Sequence, residues 1–548
     1  MSWPAHSSHP EESNLGTYGV PSAIFLIFLL VYILLRSNDF FAVDGSFRCL
    51  EVYRYPELFF RSNNHLFYTA DAWWWSRLAA TVGYRPGGPV QFLHLIELMN
   101  CLAGAAALAI FCYLVFGVTR SWQLAIVTAA ALGLSRAFSA QAVNSNEPMP
   151  GVLWSFVAVA LAARAAQKRA LWAAAGGGVF LGLAMVTYRS MVLLAPAAVA
   201  LLLLGEGDKS RRFSLSKGGI GRAAALVLSG IASAACLHGW AYWRMGERTL
   251  RGMISRFSVT DGSQFYFGLR FGRVLNIPIG MARNLFAVEP EYTGARAFLD
   301  GPKGPVFLVF LLIAAIFAFL FFCAVQIARN WADMGRVQRT GVIAGCTGFV
   351  FTFVPVLVWD PQYDKLWVQP LACLFFLIAI AWSVAKKPSG ASRIAAGAFA
   401  ALALFGACIS LHWTYKHHVN EPIEFQEAEN AAQLIGKNDF VVGEWRGVSL
   451  LYGYLWAYPQ QYLSFPSEAI AEREHVMEEL RDKIKQTEAS SGKVYFFGIL
   501  DIPKKDWDPF FAQGCGIPYS ALDEYRARAK VLARYRDKHG VSFLWELD

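Results

Sequence analysis

The chain has 548 residues, of which 55% are hydrophobic, 15% aromatic and only 16% charged. This composition, with a mean hydropathy of +0.36, excludes an ordinary soluble domain and indicates a polytopic membrane protein. The formal charge of +9 is carried largely by short loops between apolar runs, and no nucleic-acid-binding motif accompanies it. We therefore interpret the charge as a topology signal and expect no nucleic-acid partner.

Eleven apolar runs approach the roughly 20 residues that a helix needs to cross the hydrocarbon core of a bilayer. The runs are 20–35, 92–117, 122–142, 151–166, 171–188, 190–205, 221–240, 305–328, 341–358, 366–385 and 393–412. The first run lacks a small-residue cleavage site, which favours a retained anchor over a signal peptide. The expected fold is an α-helical polytopic membrane protein with about 11 transmembrane helices.

The basic residues of the loops predict the orientation of the chain. A cytoplasmic N-terminus places five basic groups in inner loops and leaves only Arg136, Arg189 and Lys365 in the short outer turns. This asymmetry obeys the positive-inside rule, although Arg36, directly after the first run, favours the opposite orientation. The later loops outweigh it, so we expect the N-terminus to be cytoplasmic.

This orientation leaves three long pieces outside the membrane, namely residues 36–91, residues 241–304 and everything after about residue 413. The last piece mixes helical and strand patterns, with "SGKVYFFGIL" and "GVSFLWEL" as short strands. We expect a transmembrane catalytic module over residues 1–412 and a small extracytoplasmic α/β domain over residues 413–548. The Ala- and Gly-rich spans favour a bacterial inner membrane, and an endoplasmic reticulum protein of the same topology stays open.

Seven of the nine cysteines lie inside apolar runs without metal-ligand spacing, where cysteine usually packs as a small hydrophobic residue. Cys49 and Cys515 lie in polar regions on the same predicted side of the membrane, which permits a disulfide without requiring one. His417 and His418 stand beside Glu421, and we interpret them as an interface feature rather than a metal site.

Two carboxylates from distant parts of the sequence are predicted to meet at the outer membrane surface. Asp44 follows the first run by a few residues, and the Gly-Ser pair after it favours a turn close to the membrane plane. Glu147 stands just before the fourth run, where its charge would also favour the start of a helix. Asp39 is the nearest rival of Asp44.

An aromatic segment, "NNHLFYTADAWWWSRLAATVG", follows the first outer acids and suits a helix that lies in the membrane interface. Its His65 and Tyr68 are either site residues or interfacial anchors. His94 and Glu97 lie one turn apart near the outer end of the second run. Because ionisable groups in apolar runs are functional candidates by default, we include Glu97 among the site residues.

These features together resemble the GT-C fold integral membrane glycosyltransferases, which include protein O-mannosyltransferases and the lipid A aminoarabinose transferases. The resemblance rests on the first-loop Asp44, the "H-x-x-Y" element, Asn100 with Gly104 in the second span, Glu147, and a late "DPQYDKLWVQPL" that is similar to the family's "PRYLLPLLP". The order of these motifs extends over most of residues 20–385.

The resemblance implies a hexosyl- or pentosyltransferase that takes its sugar from a polyprenyl phosphate-linked donor. The acceptor would be a lipid, a glycan or a protein, with Asp44 as the catalytic base or metal partner and Glu147 as the second acid. The chain has "VDG" where protein mannosyltransferases have an Asp-Glu pair, which weakens assignment to that branch. A divalent cation is compatible with two carboxylates, but they lack a diagnostic ligand spacing, so we assign no metal ligand.

The chemistry itself requires both acids and cations. A sugar that leaves its carrier builds negative charge on the phosphate, and the acceptor hydroxyl must lose a proton to a carboxylate. Arg and Lys are the usual phosphate-binding side chains. The candidate phosphate-binding residues are Arg189, Lys365 and some of Arg270, Arg273 and Arg283.

Two other functions share these features. A transporter or flippase of lipid-linked sugars would also be polytopic, but the repeat symmetry and broken midplane helices typical of transporters are not visible in the sequence. A glycan polymerase or ligase that uses a pyrophosphate carrier would share the chemistry at the membrane rim.

Overall fold

The computed structural model is mostly helical, with one small sheet near the C-terminus. The residues it describes are 10–40, 43–54, 66–205, 217–258, 271–287, 303–358, 361, 363–385, 390–421, 423–436, 438–444, 462–465, 475–507, 512, 516–537 and 540–548. Within these ranges the side chains of some helical residues, Asp44 and Arg273 among them, are not described. His65, Arg270 and Cys515 lie outside the described residues.

The helices before residue 420 follow the apolar pattern of the sequence. They are α1 (Pro10–Leu34), α2 (Val43–Arg54), α3 (Leu66–Thr81), α4 (Pro89–Thr119), α5 (Trp122–Leu134), α6 (Arg136–Ala142), α7 (Pro148–Lys168), α8 (Leu171–Thr187), α9 (Ala195–Leu204), α10 (Lys217–Arg244), α11 (Leu250–Ser258), α12 (Phe271–Phe286), α13 (Lys303–Asn330), α14 (Arg336–Val358), α15 (Val368–Val384) and α16 (Gly390–Val419). Short 3-10 helices, Arg189–Leu194 and Asp364–Leu366, precede α9 and α15. Each of the eleven predicted runs lies mainly in these helices.

Several of these helices are long and apolar enough to cross a membrane. Among the described residues, five meet that test, namely α4, α7, α10, the Val309–Asn330 part of α13, and α14. A sixth span results if α5 and α6 are taken together, although they bend by 69° at their junction. The shorter apolar helices are Tyr18–Leu34, Leu171–Thr187, Arg189–Leu204 and Val368–Val384. The protein is therefore a multi-pass membrane protein, and length and composition do not fix the number of spans at eleven.

Helices α8 and α10 approach closely because glycine leaves room for the backbones. A Cβ atom on Gly178 would collide with Ser229 and with the backbone of Leu226. The Ser229 hydroxyl lies between the helices and donates a hydrogen bond to the carbonyl of Ala175 at 2.8 Å. Small residues at helix crossings are the usual means of tight packing in membranes, where lipid offers no hydrophobic drive.

A five-stranded mixed sheet follows the last long helix. Its strands are β1 (Phe440–Glu444), β2 (Tyr462–Phe465), β3 (Val494–Phe497), β4 (Ala529–Asp537) and β5 (Gly540–Leu547), in the order β2-β1-β3-β5-β4. β1 pairs in parallel with β2 and β3, while β5 pairs antiparallel with β3 and β4. The accompanying helices are α17 (Ile423–Leu434), α18 (Val476–Ala489), α19 (Lys504–Trp507) and α20 (Asp523–Arg528). Both strands predicted from the sequence are confirmed.

Helix α17 joins the sheet to the helical part of the chain. Its buried Phe425 contacts Phe40, with the two ring centroids 4.9 Å apart, and Phe40 also lies 5.1 Å from the His94 ring. The same hydrophobic cluster includes Val441 and Tyr495 of the sheet. The C-terminal sheet is therefore packed against the region where α1 ends and α4 begins.

The α8–α10 crossing gives a prediction about stability. Gly178→Ala should destabilise the protein by about 1–3 kcal/mol, because the new methyl group meets backbone atoms that have no room to move. Gly176→Ala, two residues earlier on the same helix, would meet only a leucine side chain at 3.6 Å. It should be neutral or slightly stabilising. Thermal unfolding of the two variants in one detergent tests this difference, and equal melting temperatures would contradict the close approach.

Candidate functional site

The segment between α6 and α7, residues 143–147, is fully buried although it has no regular secondary structure. Helix α2 lies directly against it, since a Cβ atom on Gly45 would overlap the backbone of Ser145 and Asn146. The Ser46 and Ser145 hydroxyls lie 2.7 Å apart and share a hydrogen bond. The helix that carries Asp44 is thus docked on the residues just before Glu147.

Three successive carbonyl groups of this segment accept hydrogen bonds from side chains of other helices. Asn100 of α4 donates to the carbonyls of Asn144 and Asn146, at 2.6 and 2.7 Å. Tyr68 of α3 donates to the carbonyl of Ser145 at 2.7 Å. Since buried carbonyls need a partner, these side chains take the place of the missing backbone pairing.

Glu147 itself is fully buried and lies between two cations. Its Oε1 accepts a hydrogen bond from Nε of Arg48 at 3.0 Å, and its Oε2 lies 3.5 Å from Nζ of Lys365. Burial raises the pKa of Glu147, but the charges of Lys365 and Arg48 and its hydrogen bonds outweigh burial and hold that pKa below its usual range. Glu147 is therefore ionised at neutral pH.

Lys365 reaches Glu147 from a short 3-10 helix and is only 4% exposed. Its ammonium group lies 4.5 Å from the ring centroid of Tyr363 and 5.8 Å from that of Tyr188. Aromatic faces stabilise a desolvated cation at such distances. The Lys365 side chain is thus packed between two tyrosine rings beside Glu147.

Asp44 lies on helix α2, one residue before Gly45. The sequence predicted a loop with a Gly-Ser turn here, and this was wrong, because both small residues lie within the helix and allow it to dock on Ser145. The side chain of Asp44 is not described. The backbone nevertheless brings positions 44 and 147 into one region, since Gly45 lies against Ser145 and Asn146.

The other predicted site residues are divided between this region and its surroundings. Tyr68 contacts the Glu147 segment. Glu97 is fully buried and shares a 2.8 Å hydrogen bond with Nδ1 of His94. Arg189 donates to the carbonyl of Phe257 at 3.3 Å and lies over its ring, so it contacts α11. His65, Arg270 and the side chain of Arg273 are not among the described parts of the chain.

Asp39, the rival of Asp44, joins the end of α1 to the end of α16. Its carboxylate accepts hydrogen bonds from Ser37 at 3.0 Å and Asn420 at 3.1 Å, and its Oδ2 lies 2.6 Å from Nδ1 of His417. Burial raises the pKa of Asp39, but the hydrogen bond and charge of His417 and the hydrogen bonds of Asn420 and Ser37 outweigh burial. The pKa of Asp39 therefore lies below its usual range. His418 donates to the carbonyl of Arg36 at 2.7 Å. This arrangement favours a structural role for Asp39.

Sequence reasoning missed two features of the site. Arg48 was visible only as one of several arginines near the first span, and nothing in its spacing marks it as the partner of Glu147. The contact between Asp39 and His417 joins residues 378 positions apart, which no local pattern reveals. Among the described residues, no cluster of three or more His, Cys, Asp or Glu residues could hold a metal ion, and Cys49 is a buried free thiol.

The Glu147 ion pairs give a prediction about stability and its pH dependence. Glu147→Gln should lower the free energy of unfolding by roughly 3 kcal/mol at pH 7, because it leaves Lys365 as an uncompensated buried charge. The folded-state pKa of Glu147 is lowered, so its contribution is complete above the ordinary pKa of about 4.3 and is lost as the pH falls through the lower folded value. The deficit of the variant should be constant from pH 7 to 5 and shrink below about pH 4.

Thermal unfolding over this pH range measures that deficit. The double variant Glu147→Gln with Lys365→Met should recover part of the lost stability, because it removes the unpaired cation. A loss in the double variant equal to the sum of the losses in Glu147→Gln and Lys365→Met would show that the carboxylate and the ammonium group do not interact.

Comparison with known proteins supports the architecture. No protein-family model and no curated protein matches the chain. Among solved structures, the apo form of an oligosaccharyltransferase from Archaeoglobus fulgidus superposes with a TM-score of 0.51 at 10% identity, covering 96% of this chain and 74% of that one. ArnT from Cupriavidus metallidurans bound to undecaprenyl phosphate gives a TM-score of 0.52 at 13% identity, covering 97% and 98% of the two chains.

Both of these solved proteins are GT-C fold membrane glycosyltransferases. At such low sequence identity the likeness establishes architecture, and it extends over nearly the whole chain. The protein therefore has the GT-C fold that its sequence motifs predict.

Proposed function

We propose that the protein is a glycosyltransferase that moves a sugar from a polyprenyl phosphate-linked donor to a lipid, glycan or protein acceptor at the outer face of the membrane. The observation that carries this proposal is the convergence of Arg48, Lys365 and Glu147 beside the helix of Asp44, within a GT-C fold. A lipid-linked donor requires cations near a membrane surface and a carboxylate nearby. This region contains both.

In the proposed reaction the acceptor hydroxyl oxygen attacks the anomeric carbon of the donor sugar. The bond between that carbon and the phosphate oxygen breaks, and its electron pair leaves with the phosphate. Asp44 takes the hydroxyl proton, while Lys365 and Arg48 stabilise the charge that develops on the phosphate. Glu147 holds these two cations in place, so its role is to position them.

A small apolar cavity supports placement of the polyprenyl chain between the apolar helices. It is a cavity of about 60 Å³ lined mainly by apolar side chains of α5, α12, α13 and α15, among them Leu134, Leu285, Phe319 and Phe375. Ser135, at the bend between α5 and α6, also lines it. Because α6 leads directly into the Glu147 segment, a lipid in this cavity would lie one short helix away from the cations.

Topology and domain organisation complete the proposal. The proposed protein has about eleven spans, a cytoplasmic N-terminus and a transmembrane module over residues 1–412. In this topology Asp44 and Glu147 lie on the outer side of a bacterial inner membrane. The C-terminal domain, residues 413–548, would lie on that side and assist in acceptor recognition or support the site. Glu147 is already neutralised by two cations, which leaves Asp44 as the carboxylate to bind a divalent cation should the reaction use one.

Replacement of Asp44 tests the catalytic assignment. Asp44→Asn should reduce transfer by at least about 100-fold, the usual contribution of a general base, with no change in melting temperature. The measurement is release of undecaprenyl phosphate from undecaprenyl phosphate-linked hexoses and pentoses by purified protein in nanodiscs. Glu479→Gln on α18 is the control, because it makes the same chemical change at a surface ion pair with Lys483.

Two outcomes would overturn this assignment. Full activity in Asp44→Asn would remove the proposed base, and turnover of pyrophosphate-linked donors alone would indicate a polymerase or ligase. Movement of the intact lipid-linked sugar across the bilayer, without loss of its phosphate bond, would indicate a flippase.

Replacement of Lys365 tests phosphate binding separately from chemistry. Wild-type protein should bind undecaprenyl phosphate more tightly than undecaprenol, which lacks the phosphate. Lys365→Met should reduce that preference by roughly tenfold to 100-fold, because hydrogen bonds to charged groups contribute about 1.5–3 kcal/mol. Lys530→Met, at an exposed pair with Asp548 in the sheet, should retain it. Native mass spectrometry measures both affinities, and an unchanged preference in Lys365→Met would exclude this lysine from phosphate binding.

A further inference from the structure

We infer that Asn100 is a positioning residue for the site, and that it fixes Glu147 and the two cations without touching any of them. This inference rests on the proposed function, because it assigns Asn100 to the phosphate-binding arrangement described above. Asn100 lies in the middle of the apolar helix α4 and is completely buried. Burial of a polar side chain in such a place costs free energy unless the side chain is hydrogen-bonded.

The hydrogen bonds of Asn100 identify its role. Its single amide nitrogen donates to two carbonyls, those of Asn144 and Asn146, which flank Ser145 on either side. A donor that spans two alternate carbonyls restricts both the position and the rotation of the segment between them. Glu147 is the next residue in the chain, and its backbone nitrogen donates to the side-chain oxygen of Asn146 at 3.0 Å.

The surrounding contacts reinforce the same segment from other directions. Asn146 donates from its side-chain amide to Gln141 at 2.6 Å, and Tyr68 caps the carbonyl between the two that Asn100 holds. One turn beyond Asn100, a Cβ atom on Gly104 would lie 2.9 Å from the Cβ of Ala142. Helix α4 therefore approaches the segment closely, and the amide of Asn100 lies at that point of contact.

Loss of Asn100 would act on Glu147 through the backbone. Without the amide, two buried carbonyls lose their donor, and the segment must shift to find new partners. Such a shift moves the Glu147 carboxylate away from Lys365 and Arg48, which lie at 3.5 and 3.0 Å. The two cations then lose the group that fixes their position for a phosphate.

The experiment compares Asn100→Ala with Asn284→Ala. Asn284 of α12 is the control, because it is also completely buried and its side-chain amide donates to a carbonyl, that of Gly280 at 2.8 Å. Both variants should lose stability. Only Asn100→Ala should reduce the preference for undecaprenyl phosphate over undecaprenol, by roughly tenfold, which corresponds to about 1.4 kcal/mol.

The dependence of the unfolding free energy on pH, at acidic pH, provides a second readout. A general loss of stability would not change the pH at which the contribution of Glu147 is lost. The charged and titratable groups that face Glu147 from the described elements are Arg48 and Cys49 of α2, Tyr68 of α3, and Lys365. If Asn100→Ala separates Glu147 from its cations, the pKa of Glu147 should rise towards its ordinary value, and the pH at which the Glu147 contribution is lost should rise with it. The difference in unfolding free energy between Asn100→Ala and the double variant Asn100→Ala with Glu147→Gln isolates the contribution of Glu147. Asn284→Ala should leave that pH unchanged.

Tyr68→Phe keeps the inference testable if Asn100→Ala fails to fold. It removes one cap from the same segment and should shift both readouts in the same direction by a smaller amount. Equal behaviour of the Asn100 and Asn284 variants in both readouts would overturn the positioning role. If wild-type protein shows no preference for the phosphate, the proposed function fails, and the pH dependence of the unfolding free energy alone still decides whether Asn100 positions Glu147.

Discussion

The burial of one carboxylate determines the architecture of the site. Glu147 has no exposed surface, and a buried charge is tolerated only when it is paired and hydrogen-bonded. Its two cations come from parts of the chain on either side of it in the sequence, Arg48 about 100 residues before and Lys365 more than 200 residues after. Formation of this ion cluster therefore requires α2, the segment before α7 and the 3-10 helix before α15 to meet, which fixes the three elements relative to one another.

The same cluster explains why irregular backbone exists inside a helical membrane protein. Buried backbone outside regular helices is tolerated only where other protein groups satisfy its carbonyls. In the segment before Glu147, side chains of α3 and α4 perform that task. A regular helix through this region would satisfy its own carbonyls, but the break between α6 and α7 would be lost. Glu147, which lies at that break, would then not be placed between the two cations. The polar side chains thus allow the acid to lie at a defined position between Arg48 and Lys365.

The fold was largely predictable from the sequence, whereas the site was only partly so. Apolar runs of nearly 20 residues and strand patterns such as that of β3 depend on local physics, and the helices and strands appear where these patterns place them. Asp44 and Glu147 were proposed from the sequence because acids beside apolar runs are conspicuous, and their catalytic roles stay predictions. Arg48 and Asn100 were not assigned partners, because an arginine in a charged loop and an asparagine in a span have no local signature of the distant carboxylate or carbonyl that they contact.

The contacts of Asp39 with His417 and Asn420 have a consequence for biogenesis. They connect the residues just after α1 to the end of α16, positions separated by about 380 residues. During synthesis the chain before the end of α16 lacks these partners, so Asp39 gains these contacts only after nearly the whole helical part has been made. A ribosome-bound or truncated product would thus lack the contacts that tie residues 36–39 to the end of α16.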